Sequence, residues 1–121
     1  MSKKLLIVDD SPSVRQMVEM TLKGAGYSVK AAKDGQEALN FCKAERYDFV
    51  ITDQNMPNMD GITLIKSLRA MPSYARTPLI VLTTEASDLM KQKGKAAGAT
   101  GWMVKPFDPK KLLEVVSKVL R

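Results

Sequence analysis

Lys4-Leu5-Leu6-Ile7-Val8-Asp9-Asp10 is an apolar run that ends in two acids, and Phe49-Val50-Ile51-Thr52-Asp53 repeats the pattern with one. Short, nearly continuous apolar runs suit strands covered on both faces, as in a parallel sheet. A strand interior has no use for a carboxylate, so two such runs closing in acid point to a site at the strand ends. Three further runs carry strand character: Tyr27 to Ala31, Pro78 to Thr83 and Thr100 to Val104. The third run is taken from Tyr47 to Thr52, with Asp53 just beyond it.

Between them lie helical patterns with their own start signals. Ser11 is a cap with Pro12 at the first helical position, where a missing N–H costs nothing. The stripe Val14, Met17, Val18, Thr21, Leu22, Ala25 follows at the 3.6-residue period and stops near Gly24 and Gly26. Asp34-Gly35-Gln36-Glu37 has capping-box spacing and opens a helix bearing Ala38, Leu39, Phe41 and Cys42. After a loop holding Pro57, Asp60 caps a helix with Ile62, Leu64, Ile65 and Leu68, which Pro72 closes. Ser87 to Ala97 reads as the weakest helix, its apolar face little beyond Leu89, Met90, Ala96 and Ala97, with Gly94 inside it. Asp108 and Pro109 start a last helix carrying Leu112, Leu113, Val115, Val116, Val119 and Leu120.

Strands alternating with helices across short loops predict an α/β fold, a doubly wound parallel sheet with helices on both faces. Right-handed crossovers leave few topologies, and the flavodoxin-like (βα)5 order 2-1-3-4-5 with five helices is expected. In that order the first and third strands are neighbours at the switch point, so Asp9, Asp10 and Asp53 share one edge. Thr83 ends the fourth strand and Lys105 follows the fifth.

Composition narrows the chemistry. The chain has 121 residues, enough for one domain, and a net charge of +6. Its lysines are spread over several helices without aromatic interleaving, which favours a solvated basic surface over a nucleic-acid groove, and no nucleic-acid partner is expected. The first residues do not read as a leader, so none is expected, and no apolar stretch comes near the ~20 residues of a membrane span. The single cysteine, Cys42, cannot form an internal disulfide; a cytoplasmic location is expected, with Cys42 a half-buried filler. Histidine is absent, which removes the commonest general base and the commonest metal ligand.

Three carboxylates brought together repel unless a cation compensates them. With oxygen donors alone, Mg²⁺ is the expected ion, keeping positions open for water and phosphate. One carboxylate can then act as a nucleophile and become an acyl phosphate, its new charge shared with the Thr83 hydroxyl and the Lys105 ammonium. Taken singly, each residue has an ordinary role: Asp9-Asp10 a helix entry, Asp53 a loop cap, Thr83 a strand-end hydroxyl, Lys105 a solvated lysine. Their joint placement at strand ends argues for a site.

Leu6-Ile7-Val8-Asp9-Asp10, Thr52-Asp53-Gln54-Asn55-Met56-Pro57 with Asp60-Gly61, Thr83-Thr84-Glu85, Gly98-Ala99 and Val104-Lys105-Pro106-Phe107, in this order, resemble bacterial response-regulator receiver domains over the whole chain. The resemblance implies that Asp53 is the phosphoacceptor. Asp10 would be a direct Mg²⁺ ligand, Asp9 a support largely through water, Asp53 itself a further ligand, and Asn55 a donor through its backbone carbonyl. Thr83 would bind a phosphoryl oxygen, Lys105 would pair with the phosphate, and Pro106 corresponds to a cis-proline that aims Lys105. Trp102 stands at the switch position, where the family usually has Tyr or Phe, and Thr84 where a small residue is common.

The chain is expected to be a single receiver domain, residues 1–121, with no output domain, and to signal as a monomer by binding. Similarity to the chemotaxis-type single-domain receivers implies a CheA-like histidine kinase as phosphodonor. Output would then pass through the last two helices and fifth strand to a flagellar motor switch protein, with a phosphatase as a candidate partner. Lys91, Lys93, Lys95, Lys110, Lys111 and Lys118 would favour an acidic segment there, and Val115 would be left for contact. Transfer and hydrolysis would be self-catalysed, without enzymatic turnover. Two competing readings are a phosphate sink or adaptor in another two-component pathway, and a Mg²⁺-dependent aspartate-nucleophile phosphohydrolase.

Overall fold

The computed structural model describes residues 3–84, 87–105 and 108–120. The elements alternate as expected: β1 Lys4–Val8, α1 Pro12–Gly24, β2 Ser28–Ala32, α2 Gly35–Ala44, β3 Phe49–Asp53, α3 Gly61–Arg69, β4 Leu79–Thr83, α4 Asp88–Ala97, β5 Gly101–Val104 and α5 Pro109–Val119. All five strands are parallel, in the order β2-β1-β3-β4-β5. The flavodoxin-like order is therefore the observed one.

The strand period of two divides the core into two layers. Leu6, Val8, Val50, Leu79 and Val81 face α2, α3 and α4, where Ala38, Leu64, Ile65, Leu68 and Ala97 meet them. Leu5, Ile7, Phe49, Ile51, Ile80 and Leu82 face α1 and α5, against Val18, Leu22, Leu112 and Val116. Each such Leu or Ile withdrawn from water contributes about 2 kcal/mol before entropy is counted. β1, β3 and β4 sit inside the sheet and are buried almost throughout; β2 lies at an edge and alternates.

Every helix entry is capped by its own side chain. Ser11, Asp34, Asp60, Ser87 and Asp108 accept from the N–H groups of Val14, Glu37, Thr63, Met90 and Lys111. These satisfy donors the helix cannot use, each worth about 1 kcal/mol. They also fix where the chain leaves the sheet's carboxyl edge.

Several local expectations need correction. β2 and β5 begin one residue later than read, β3 two residues later and including Asp53, and β4 starts at Leu79. Ala25 is an exposed C-cap rather than part of the α1 stripe. Pro72 opens a short 3-10 turn, Pro72–Tyr74, in which Tyr74 is buried and its hydroxyl meets the backbone of Tyr47 and Glu45 at 3.0 Å each. Cys42 is buried outright, and Val115 is partly buried against the α1/α5 layer rather than left spare. Among the described residues no helix is long and apolar enough to cross a membrane.

α4 is the thinly held helix the sequence indicated. Only Gly94 and Ala97 on it are buried, and Leu89 is 62% exposed. Its far end is tied down by Arg69, whose Nε donates to the Gly98 carbonyl at 2.9 Å and whose Nη1 donates to the Tyr74 and Thr77 carbonyls at 2.6 and 2.7 Å. Gly98 closes α4 with φ +104°, and a Cβ there would lie 2.8 Å from Arg69 Cγ.

Candidate functional site at the carboxyl edge of the sheet

The sheet ladder runs on past the strand ends and carries candidate site residues with it. Asp9 N–H donates to the Ala32 carbonyl at 3.1 Å, Gln54 N–H to Leu82 at 2.9 Å and Lys105 N–H to Thr83 at 2.7 Å. Residues at the ends of β1, β3, β4 and β5 are thus held by backbone bonds rather than by flexible loops.

One carboxylate oxygen from each of Asp9, Asp10 and Asp53 falls within a group whose members all lie within 4.8 Å of one another. Asp9 and Asp53 are buried and Asp10 is exposed, so the cluster has a closed side and an open one. Asp9 Oδ1 accepts from Ser11 N–H at 2.8 Å, and its carbonyl accepts from Arg15 Nη1 at 2.7 Å. Lys105 reaches across from β5 and places Nζ 3.1 Å from Asp9 Oδ2 and 3.2 Å from Asp53 Oδ1.

The electrostatics follow from this packing. Burial pushes the Asp53 carboxyl above its ordinary value, and the Asp9 charge pushes it further, while Lys105 pulls it back. Burial alone would lower the Lys105 ammonium, but its contacts with Asp9 and Asp53 outweigh it and hold the group above its ordinary value. Among the described residues one ammonium faces three acids here, leaving the cluster short of positive charge. The donor set is all oxygen and strand-anchored, with an exposed side toward solvent. It fits a hard divalent cation that keeps part of its water shell.

Of the other residues read from the sequence, Thr83 is buried at the end of β4, adjacent to the Leu82 that pairs with Asp53. Asn55 lies exposed in the loop two positions after Asp53. Trp102 is not part of the cluster: it pairs in register with Val81, two positions before Thr83 on β4, and packs toward α4. Thr84 is exposed. Pro106 lies outside the described residues, as do Glu85 and Phe107.

Two site residues went unassigned in the sequence. Gln54 is buried; its Oε1 accepts from Ile62 N–H at 2.8 Å and its carbonyl accepts from Gly61 N–H at 3.1 Å, stapling the start of α3 to the end of β3. Gly61 is the point of closest approach, since a Cβ there would stand 2.5 Å from the Asp53 carbonyl oxygen. The Asp60-Gly61 pair was the available signal: a cap followed by a residue without a side chain marks a helix start pressed on backbone.

Comparison with known proteins agrees with this geometry. The response regulator receiver domain model matches residues 5–117. The chemotaxis protein CheY4 of Vibrio cholerae is 51% identical, with a TM-score of 0.96 over 99% of this chain and 100% of that one. Chemotaxis protein CheY-3 of the same species is 38% identical over 96% of this chain and 90% of its own length. The receiver domain of sensor histidine kinase PA1611 from Pseudomonas aeruginosa, solved with a magnesium ion coordinated in its active site cleft, is 28% identical. It superposes with a TM-score of 0.91, over 99% of this chain and 98% of that one. Among other curated relatives the chain spans only 13% of the length of one and 50% of another. With that match over nearly its whole length, the chain belongs to the response regulator receiver domain family.

Proposed function

We propose that this chain is a phosphorylation-activated signalling switch whose phosphoacceptor is Asp53. The observation that carries the reading is the position of Asp53: buried at the end of β3, beside Asp9, with Lys105 Nζ 3.2 Å from Oδ1. A carboxylate so placed is desolvated, poorly compensated and fixed by strand backbone, which suits a nucleophile. In the transfer step an Asp53 oxygen forms a bond to phosphorus as the bond from phosphorus to a histidine-kinase imidazole nitrogen breaks. The electron pair of that bond leaves with the imidazole.

Asp9, Asp10 and Asp53, with the Asn55 carbonyl, would hold Mg²⁺, which when bound offsets the negative charge of the acids and of the phosphoryl oxygens. Lys105 stays protonated across the physiological range and pairs with the new charge; the Thr83 hydroxyl, at the next strand end, is assigned to a phosphoryl oxygen. Pro106 is assigned to aiming Lys105. Phosphotransfer and dephosphorylation are then properties of the site itself, and the chain is not a turnover enzyme.

Similarity to CheY-3 and CheY4 supports a role in chemotaxis, with a CheA-like kinase upstream and a flagellar motor switch protein downstream, in the cytoplasm, through a single domain acting as a monomer. The α4–β5–α5 face, with Lys91, Lys93, Lys95, Lys110, Lys111 and Lys118 exposed, suits an acidic partner segment. The test is binding of a motor-switch peptide with and without phosphodonor and Mg²⁺. Tighter binding after phosphorylation supports the motor role; unchanged binding, with Asp53 nonetheless phosphorylated, leaves a phosphate sink or adaptor.

A further inference from the structure

We infer that Gly94 is the seat of the Trp102 indole, so that this ring and helix α4 form one packed unit that moves together. The signalling part of this inference rests on the switch reading above; the seat itself does not. A Cβ at position 94 would lie 2.6 Å from Trp102 Cζ3 and 3.1 Å from Cε3, a separation that packed atoms do not tolerate. The six-membered half of the indole therefore occupies the space a side chain on α4 would fill.

Three further observations give the contact its weight. Gly94 and Ala97 are the buried residues of α4, so the helix rests on the sheet through the very residue that receives the ring. The Nε1 atom of Trp102 is buried and finds no hydrogen-bond partner among the described residues, a cost of roughly the size of a lost hydrogen bond. The indole is thus held by shape rather than by a polar anchor. Beside it a cavity of about 270 Å³, lined by Lys91, Lys95, Ala99, Thr100, Gly101 and Trp102, gives the ring somewhere to go. A larger aromatic on β5 and a missing side chain on α4 compensate each other. Since the ring fits only where α4 lacks a Cβ, a shift of β5 near Lys105 must carry α4 with it or expel the indole into the cavity.

Gly94 is a positioning residue on this account, and the chain contains its own reporter, because Trp102 is the sole tryptophan. A helix-interior Gly→Ala exchange with nothing in its way would raise Tm by about 4 °C. If Gly94 seats the ring, Gly94→Ala instead lowers Tm or leaves it unraised, red-shifts the Trp102 emission and increases its quenching by acrylamide. Trp102→Phe removes the second ring, so in that background Gly94→Ala recovers the rise in Tm. The inference is overturned if Gly94→Ala in the native chain raises Tm with the emission unmoved, or if its effect on Tm is the same in both backgrounds.

The coupled movement is read separately, with acetyl phosphate and Mg²⁺. The native chain is expected to change its Trp102 emission, Asp53→Asn to show no change, and Gly94→Ala to start from a shifted emission and respond less. Phosphorylation of Asp53 with an unmoved Trp102 emission overturns the coupling while leaving the switch. Failure to phosphorylate Asp53 brings down the switch reading, and the seat still stands or falls on the donor-free measurements.

Discussion

Two helices approach the sheet through a glycine, and the two contacts differ in what the glycine meets. Gly61 of α3 presses on backbone, the carbonyl of Asp53, whereas Gly94 of α4 presses on a side chain, the indole of Trp102. Backbone in the middle of a five-stranded sheet cannot give way; a ring beside a cavity can. The acidic edge is accordingly built as fixed machinery, with Asp9, Asp53 and Lys105 held by the hydrogen-bonded strand ladder. The α4 seam is built as an adjustable part, thinly buried and held by shape. A switch needs both kinds of contact, one to keep the chemistry in register and one to respond to it.

The sharpest way to break this comparison is Gly61→Ala. With no room short of moving β3 or α3, it is expected to cost about 3 kcal/mol, the upper range for overpacking, measured by urea denaturation. A loss no larger than that from Gly94→Ala would erase the distinction between the two seams. Next in size is the metal: Mg²⁺ at a hundred times its Kd should stabilise the chain by about 2.7 kcal/mol. The gain should shrink in Asp10→Asn and fade as pH drops through the raised Asp53 value, because protons compete for that carboxylate.

Lys105→Met should cost about 2 kcal/mol in metal-free buffer, since it leaves Asp9 and Asp53 side by side without a cation. The sign with pH is specific. The Lys105 ammonium sits above its ordinary value in the fold, so its contribution is complete below the unfolded lysine pKa and is lost as pH rises through the folded one. The native chain should therefore lose its advantage over Lys105→Met as pH rises into the alkaline range, and also in acid, where protonation of Asp53 removes the charge that Lys105 compensates.

Smallest is a gain. Asp53 lies above its ordinary value, so its charged form is disfavoured by folding and stability improves as pH falls from that raised value toward the unfolded one. Asp53→Asn should accordingly be more stable than the native chain at neutral pH without metal, by about 1 kcal/mol. The same comparison below pH 4 should show the gap closed.

How legible all this was depends on the kind of signal. The apolar runs, the five caps and the strand order could be read because each rests on local periodicity or on a side chain's own hydrogen bond. The acids and Lys105 could be read because a charged residue closing an apolar run conflicts with simple packing. What escaped were the close approaches: Gly61 against Asp53, Gly94 against Trp102, Gln54 stapling α3, and Arg69 holding the α4–β5 turn. These depend on how far apart two elements sit in space, and a glycine or an arginine looks the same in sequence whether or not a neighbour presses on it. Gly94 shows the limit well. In sequence it is a residue that weakens the helix, and in the fold it is the place where the helix is seated.

The most direct measurement of the central reading is peptide mass spectrometry of the native chain after exposure to acetyl phosphate and Mg²⁺. The expected result is a single phosphoryl group on the peptide containing Asp53, labile to alkali and absent when Mg²⁺ is chelated. An unmodified Asp53, or a label that persists in Asp53→Ala, would contradict it.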